Sequence, residues 1–373
     1  MAEIVHVPLS GGRAYDIHIG AGLLANVGEI AKGVARSTRV VIVSQLPIAK
    51  HYGKSVADSL VATGFDTPEV VLFPAGERHK THKTLEKLYS ALYELHPAID
   101  RKTLLVALGG GVVGDVVGFL AATYLRGLDY IQIPTTLLAM VDSSVGGKTG
   151  IDYRAGKNLI GAFHQPRAVV ADTDTLATLP KREMASGLAE IIKYGVIRDA
   201  EVMRKATYSI HGLRRGEADL TNYLVRRSCE IKAEVVVEDE YETTGVRAIL
   251  NFGHTIGHAV EAATKYRRYK HGEAIAIGMI AAACIGETLG ITRLGLREHI
   301  RIACANARLP LSLPSDVSDD DLIALLGRDK KSENGAAKFV LARALGDVVA
   351  GVAVEQSAIR AGLAMQRAKY AGP

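Results

Sequence analysis

The sequence predicts an α/β domain with a parallel sheet, followed by a mostly α-helical domain. Three observations predict it. Short, continuously apolar runs such as RVVIV at residues 39–43 and TLLVAL at 103–108 recur between helical patterns in the first half. From about Pro180 the pattern changes to long segments with a 3.6-residue period. The chain has 373 residues, enough for two domains of about 100–200 residues each.

Taken in order, residues 4–7 and 15–19 alternate around the turn-like Ser10-Gly11-Gly12 and predict a β-hairpin. Residues 39–43, 70–73, 103–108 and 130–133 are β-branched runs and predict strands of a sheet covered on both faces. A helix is expected over 116–124. The loop Asp172-Thr173-Asp174 precedes a boundary near residues 175–181, giving domains 1–179 and 180–373. In the second domain helices are expected over 182–196, 220–237, 255–264, 273–289, 296–307 and 320–326, and strands only at 339–341 and 347–352. Cofactor and substrate commonly bind in the cleft between two such domains, and the active site is expected there. No internal repeat or low-complexity tract is visible.

Composition excludes several classes. Hydrophobic residues make up 48% and charged residues 23%, which fits a globular chain. Tryptophan is absent and aromatics are 5%, poor in the stacking residues of a single-strand nucleic-acid binder. A net charge of +5 asks for no polyanion but suits a small anionic substrate where cations converge. The longest apolar stretch, residues 274–286, is 13 residues and ends at Glu287, short of the roughly 18–20 that span a membrane. The N-terminus has an acid at Glu3 and no apolar core for a signal peptide. Cys229, Cys284 and Cys304 form no CxxC pair and read as reduced thiols of a cytoplasmic protein.

Four segments carry chemistry. Gly109-Gly110-Gly111-Val112-Val113-Gly114-Asp115 fits G-x-G-x-x-G between a strand and a helix. Glycines there let the backbone approach a pyrophosphate, and the helix N-terminus meets its charge. The bland alternative is a tight strand–helix turn. Asp142-Ser143-Ser144-Val145-Gly146-Gly147-Lys148-Thr149 resembles a P-loop, but Asp142 occupies the first glycine position and would repel a phosphate, so an ATPase is excluded. Lys148 could still hold an anion. Glu190 and Lys193 lie three apart on one helical face, which by itself predicts an ion pair.

The densest cluster is His254, His258 and His271, three histidines in 18 residues. His254 and His258 have the spacing of a zinc protease, but Thr255 replaces the glutamate of H-E-x-x-H. Two of these three histidines plus a distant acid would make a His₂Glu metal site. Lys232, Arg247 and Lys330-Lys331 matter only if they converge.

Together, GGGVVGDVVGFLAATYLRG, IPTTLLAMVDSSVGGKTGID, GKNLIGAFHQP, LAEIIKYG, LNFGHTIGHAVE and HGEAIAIGM resemble, in order and spacing, the 3-dehydroquinate synthase family. The blocks D-S-S-V-G-G-K-T and G-H-T-x-G-H-A follow that form rather than the forms of 2-deoxy-scyllo-inosose or valiolone synthases. The resemblance implies a Rossmann-like NAD-binding domain and a sugar-phosphate cyclase. Such an enzyme converts 3-deoxy-D-arabino-heptulosonate 7-phosphate to 3-dehydroquinate in the shikimate pathway, by oxidation at C5, phosphate elimination, re-reduction and aldol closure. It uses NAD⁺ and one divalent ion per chain, Zn²⁺ or Co²⁺, and is a homodimer.

The motif match implies Glu190, His254 and His271 as metal ligands, with His258 outside them. It assigns Asp142, Lys148, Asn158, Lys193, Lys232, Arg247, Asn251, His258 and Lys331 to the substrate, and Arg126 to the neighbouring subunit's site. For NAD⁺ it implies Glu77, Lys80, Gly109, Gly110, Gly111, Val112, Gly114, Asp115, Thr135, Thr136, Asp142, Lys148, Lys157, Thr178 and Glu183. Asp152 stands where the family has Asn, and Thr243-Thr244 adds one residue after Glu242.

Overall fold

The computed structural model describes residues 2–154, 156–208, 212–213, 217–326 and 337–370. The chain forms two compact units, Met1–Leu179 with Thr221–Val237, and Pro180–Leu220 with Glu238–Pro373. The segment Thr221–Val237, grouped above with the second domain, packs in the first unit.

The strands of the first unit are β1 (Glu3–Val7), β2 (Tyr15–Gly20), β3 (Val40–Gln45), β4 (Glu69–Phe73), β5 (Leu104–Gly109), β6 (Tyr130–Pro134), β7 (Lys148–Tyr153), β8 (Gly156–Phe163) and β9 (Ala168–Asp172). Seven of them form one sheet in the order β1-β2-β9-β6-β5-β3-β4. Every neighbouring pair is parallel except the β1–β2 hairpin. The hairpin turn contains Gly11 and Gly12 at φ 65° and 73°, a region that glycine enters without steric cost.

The apolar runs follow from burial on both faces. Val41, Val43, Leu105 and Ala107 face one core with the helices His82–Tyr93 and Gly111–Thr123. Val40, Ile42, Leu104, Val106 and Leu108 face another with Val27, Val56 and Leu60. The edge strand β4 alternates instead, leaving Val70 and Leu72 exposed.

Several elements differ from the sequence expectations. The helix after β5 starts at Gly111, inside the glycine motif, rather than at Val116. Lys148 opens β7 rather than riding on a loop, because Gly146 and Gly147 make the turn before it. β9, the β7–β8 pair and the helices Ala200–Tyr208 and Gln356–Tyr370 were not foreseen.

The second unit is built around the helix His271–Thr288, whose residues 274–286 are all buried. That is why this stretch is apolar all round. Among the described residues, no helix is long and apolar enough to cross a membrane. The helices Lys181–Ile197, His254–Ala263, Leu296–Asn306 and Gln356–Tyr370 pack against it. β10 (Ala337–Ala344) and β11 (Asp347–Val354) form an antiparallel pair in the same unit.

The start of the helix His254–Ala263 meets the central helix tightly at Gly278. A Cβ there would collide with the Gly253 carbonyl and lie 2.7 Å from the Gly257 nitrogen. Gly278→Ala should therefore destabilise the second unit by about 1–3 kcal/mol, read as a lower urea midpoint. An unchanged midpoint would show that the approach is not tight.

Candidate metal centre and nucleotide site

The helix Lys181–Ile197 is buried from Ala185 onward and carries Glu190 at 0% and Lys193 at 1% exposure. The two pair within one helical turn, as their spacing predicts, and the Lys193 ammonium also lies over the Tyr194 ring.

Two more helices deliver histidines from their first residues. Gly253, at φ 81°, turns the chain into the helix His254–Ala263. The Phe252 carbonyl lies 3.2 Å from His254 Nδ1, so that nitrogen carries the proton and Nε2 presents its lone pair, 3.8 Å from Glu190 Oε1. His271 opens the central helix and places Nε2 3.5 Å from the same oxygen.

Its neighbours tie this start to the helix Lys181–Ile197. Lys270 pairs with Glu183 at 2.7 Å. The Arg182 guanidinium donates two hydrogen bonds of 2.6 Å to Glu273. The Gly272 amide donates to Ser186 Oγ at 3.0 Å, and a Cβ on Gly272 would run into the Ser186 backbone.

Glu190, His254 and His271 can bring one ligand atom each within 4.8 Å of one another. One carboxylate and two imidazoles are the His₂Glu donor set of a divalent-ion site with open positions, so the residues present fit a metal. Burial pushes the His254 imidazole well below its ordinary value and keeps it neutral, as a ligand must be. Burial also pulls on His271, but Glu190 and Glu261 outweigh it and push it up to about 10. A bound divalent ion would displace that proton.

His258 lies beside the triad, its ring edge-on to His254 at 5.2 Å. Glu261, 2% exposed, lies 3.6 Å from His271 Nδ1. Sequence reasoning missed Glu261. The available signal was its spacing of seven residues from His254, two helical turns along the same face.

Arg247, 3% exposed, donates to the Glu240 carbonyl at 2.9 Å, and its Nε lies 3.6 Å from Glu242. The loop between them winds around Asp239, whose carboxylate accepts the backbone N–H groups of Thr243, Thr244, Gly245 and Arg247. Burial raises the Asp239 carboxyl, but these amides hold it down at about 2. One buried carboxylate thus gathers the backbone of this loop, Thr243 and Thr244 included. Asn251 ends the helical turn Val246–Asn251 just before the metal-site helix.

In the first unit the glycine motif joins β5 to the helix Gly111–Thr123. The helix Gly111–Thr123 starts without a side-chain cap, leaving its N-terminal amides to meet an anion. A Cβ on Gly114 would lie 2.6 Å from Gln132 Oε1 on β6, the close helix–strand contact expected of the third glycine. Gly109 ends β5, Gly110 is the N-cap residue of the helix and Val112 lies in its first turn. Thr135, just after β6, has a buried hydroxyl that finds no hydrogen-bond partner among the described residues, and Thr136 Oγ1 accepts from the Ala139 amide.

Lys80, buried, donates to Asp115 at 2.5 Å and to Asn158. Burial lowers Lys80, but Asp115, Glu77 and Asp152 outweigh it and keep the ammonium charged. Asp152, the departure noted above, accepts the Asn158 amide at 2.9 Å. Lys157 lies 3.6 Å from Glu77, and Thr178 Oγ1 is 2.5 Å from Tyr52. The Asp142 carboxylate takes Lys232 at 2.7 Å. Lys148 and Arg126 are exposed. Lys331 lies outside the described residues.

Comparison with known proteins decides the family. The sequence model described as 3-dehydroquinate synthase N-terminal matches residues 70–186, and the one described as 3-dehydroquinate synthase C-terminal matches 187–332. The chain belongs to the 3-dehydroquinate synthase family. It is 46% identical to the 3-dehydroquinate synthase of Gloeobacter violaceus, over 93% of this chain and 95% of that one. It is 47% identical to that of Pelotomaculum thermopropionicum, over 93% and 92%.

Solved structures of other cyclases are similar to this member of the family. A 2-epi-5-epi-valiolone synthase from Streptomyces hygroscopicus, with NAD⁺ and Zn²⁺ bound, is 27% identical at a TM-score of 0.87, covering 97% of this chain and 99% of that one. A 2-deoxy-scyllo-inosose synthase with carbaglucose-6-phosphate, NAD⁺ and Co²⁺ is 25% identical at a TM-score of 0.83, with the same coverage. Glycerol dehydrogenase from Schizosaccharomyces pombe, 16% identical at 0.67, shares the fold.

Alanine at Glu190, His254 or His271 should each lower metal content and activity in parallel, measured on purified protein by elemental analysis and turnover. Full occupancy in His271→Ala would remove that residue from the ligand set.

Proposed function

We propose that the chain is a phosphorus–oxygen lyase converting 3-deoxy-D-arabino-heptulosonate 7-phosphate to 3-dehydroquinate and phosphate in the shikimate pathway. The observation that carries this is the likeness to named relatives at 46% and 47% identity over 93% of the chain. NAD⁺ and a divalent ion, Zn²⁺ or Co²⁺, are its cofactors. The uncapped helix start and the Thr135 hydroxyl, without a partner among the described residues, support the nucleotide, and the Glu190–His254–His271 donor set supports the ion.

When bound, NAD⁺ takes up and returns one hydride at C5 and the ion acidifies the hydroxyl being oxidised. A carbonyl at C5 makes the C6 proton acidic, so the phosphate on C7 leaves by elimination. The chain's residues bind and orient. Lys193, Arg247, Asn251 and His258 in the second unit are assigned to the substrate, as are Asp142, Lys148, Asn158, Lys232 and, outside the described residues, Lys331. A phosphate and a carboxylate on one substrate explain why so many cations are needed. Glu77, Lys80, Asp115, Thr136, Lys157, Thr178 and Glu183, with the glycine turn, are assigned to NAD⁺.

The proposal includes a cytoplasmic homodimer. Three free cysteines support the compartment. The exposed Arg126 supports the dimer, since Leu125 and Arg126 are both held at positive φ, 50° and 65°. Strained backbone of this kind persists where position matters.

With purified protein, the heptulosonate phosphate, metal and substoichiometric NAD⁺, turnover should run to completion without NADH accumulating. One NADH per phosphate released would instead indicate a simple metal-dependent alcohol dehydrogenase.

Lys148→Ala should lower kcat/KM at least tenfold, about 1.4 kcal/mol, which is less than the roughly 2–5 kcal/mol typical of a buried charged partner because Lys148 is exposed. Metal content should not change, and the loss should be smaller for a substrate analogue lacking phosphate. Equal losses for both ligands would move Lys148 away from the phosphate.

A further inference from the structure

We propose that Glu261 is a positioning residue of the metal centre: its carboxylate holds the Nδ1 edge of His271 so that Nε2 faces Glu190. The inference rests on the divalent-ion site proposed above. His271 is flanked by two carboxylates. Glu190 Oε1 lies 3.5 Å from Nε2, and Glu261 Oε1 lies 3.6 Å from Nδ1. A neutral imidazole has one N–H and one lone pair. An ionised carboxylate only accepts, so Glu261 draws the N–H to Nδ1 and leaves the lone pair on Nε2.

His254 repeats the arrangement with a neutral acceptor, the Phe252 carbonyl 3.2 Å from its Nδ1 and Glu190 3.8 Å from its Nε2. Both imidazoles therefore turn the same nitrogen toward one carboxylate.

The location of Glu261 argues against simple filling of space. It is 2% exposed, where a carboxylate is disfavoured by desolvation. It also lies in the last turn of the helix His254–Ala263, where the helix dipole disfavours negative charge. Two local rules broken by one residue mark a site. His254 and Glu261 share a face, so one rigid helix supplies a metal ligand and the group that orients another. His258, Glu261 and His271 can also bring ligand atoms within 4.8 Å of one another, which makes direct ligation by Glu261 the competing outcome.

The test measures Zn²⁺ affinity by competition with a chromophoric chelator, and the visible spectrum with Co²⁺, for the full chain, E261Q and E261A. The full chain should bind one ion. E261A should bind one ion about 10–100-fold more weakly. E261Q should lose less, because its amide oxygen still offers an acceptor to Nδ1. The Co²⁺ bands of E261Q should keep their intensity, as the ligand count does not change.

Unchanged affinity in E261Q and E261A would overturn the proposal, as a merely structural residue lowers the melting temperature without moving the competition. A Co²⁺ spectrum showing one ligand fewer would also overturn it, in favour of direct ligation. If E261A does not fold, E261Q, which keeps the volume, decides alone. No tight binding by the full chain would instead remove the metal site itself.

Discussion

The Glu190 carboxylate is fully buried, where an ionised carboxylate is costly unless positive partners or a bound cation offset it. The geometry of the second unit follows from that constraint. Lys193 supplies one positive charge from the same helix, and two imidazoles arrive from two other helices. For those helices to approach, side chains must be absent where they cross. Gly272 against Ser186, and Gly278 against Gly253, meet that need. The apolar helix His271–Thr288 is thus both the core of the unit and the mount for a ligand.

The first unit solves a different problem. Its parallel strands all point one way, so the groups that follow β3, β4, β5 and β6 gather at their carboxyl ends, where such sheets bind ligands. Gln45, Lys80, the glycine turn and Thr135 all occupy such positions. Lys80 then links the turn to β8 through Asp115 and Asn158.

Strong periodicity made most elements legible. The runs at β3, β5 and β6 are buried on both faces and read as strands, and the six helices expected after Pro180 lie within two residues of their observed ends. What escaped had weaker local patterns. β8 carries Gly156, Lys157, Asn158 and Gly161, whose composition resembles a loop, and its pairing with β7 depends on partners distant from any one window. The helix at the glycine motif starts earlier than periodicity suggests, because glycines carry no hydrophobic signal. At the site, the metal triad was legible only through the family resemblance, since spacing alone left two of three histidines and an unnamed acid. Glu261 was overlooked because a glutamate on a helix is ordinary until its burial is known. The packing of Thr221–Val237 in the first unit was not legible, since a helix pattern does not name its partner.

That last feature bears on how the protein is made. The first unit is discontinuous in sequence, and its missing piece is a helix with Leu224, Val225, Ile231 and Val235 buried. Cys229 meets the Met140 carbonyl and Lys232 meets Asp142. A nascent chain that has reached Leu179 therefore holds the whole sheet but lacks the helix that covers this region. Roughly 60 more residues must emerge first, a delay of about 3–12 s at 5–20 residues per second. During that interval apolar surface around Met140 has no cover. Completion of the first unit thus waits for part of the second to be synthesised, and the two cannot be acquired as independent beads on a growing chain.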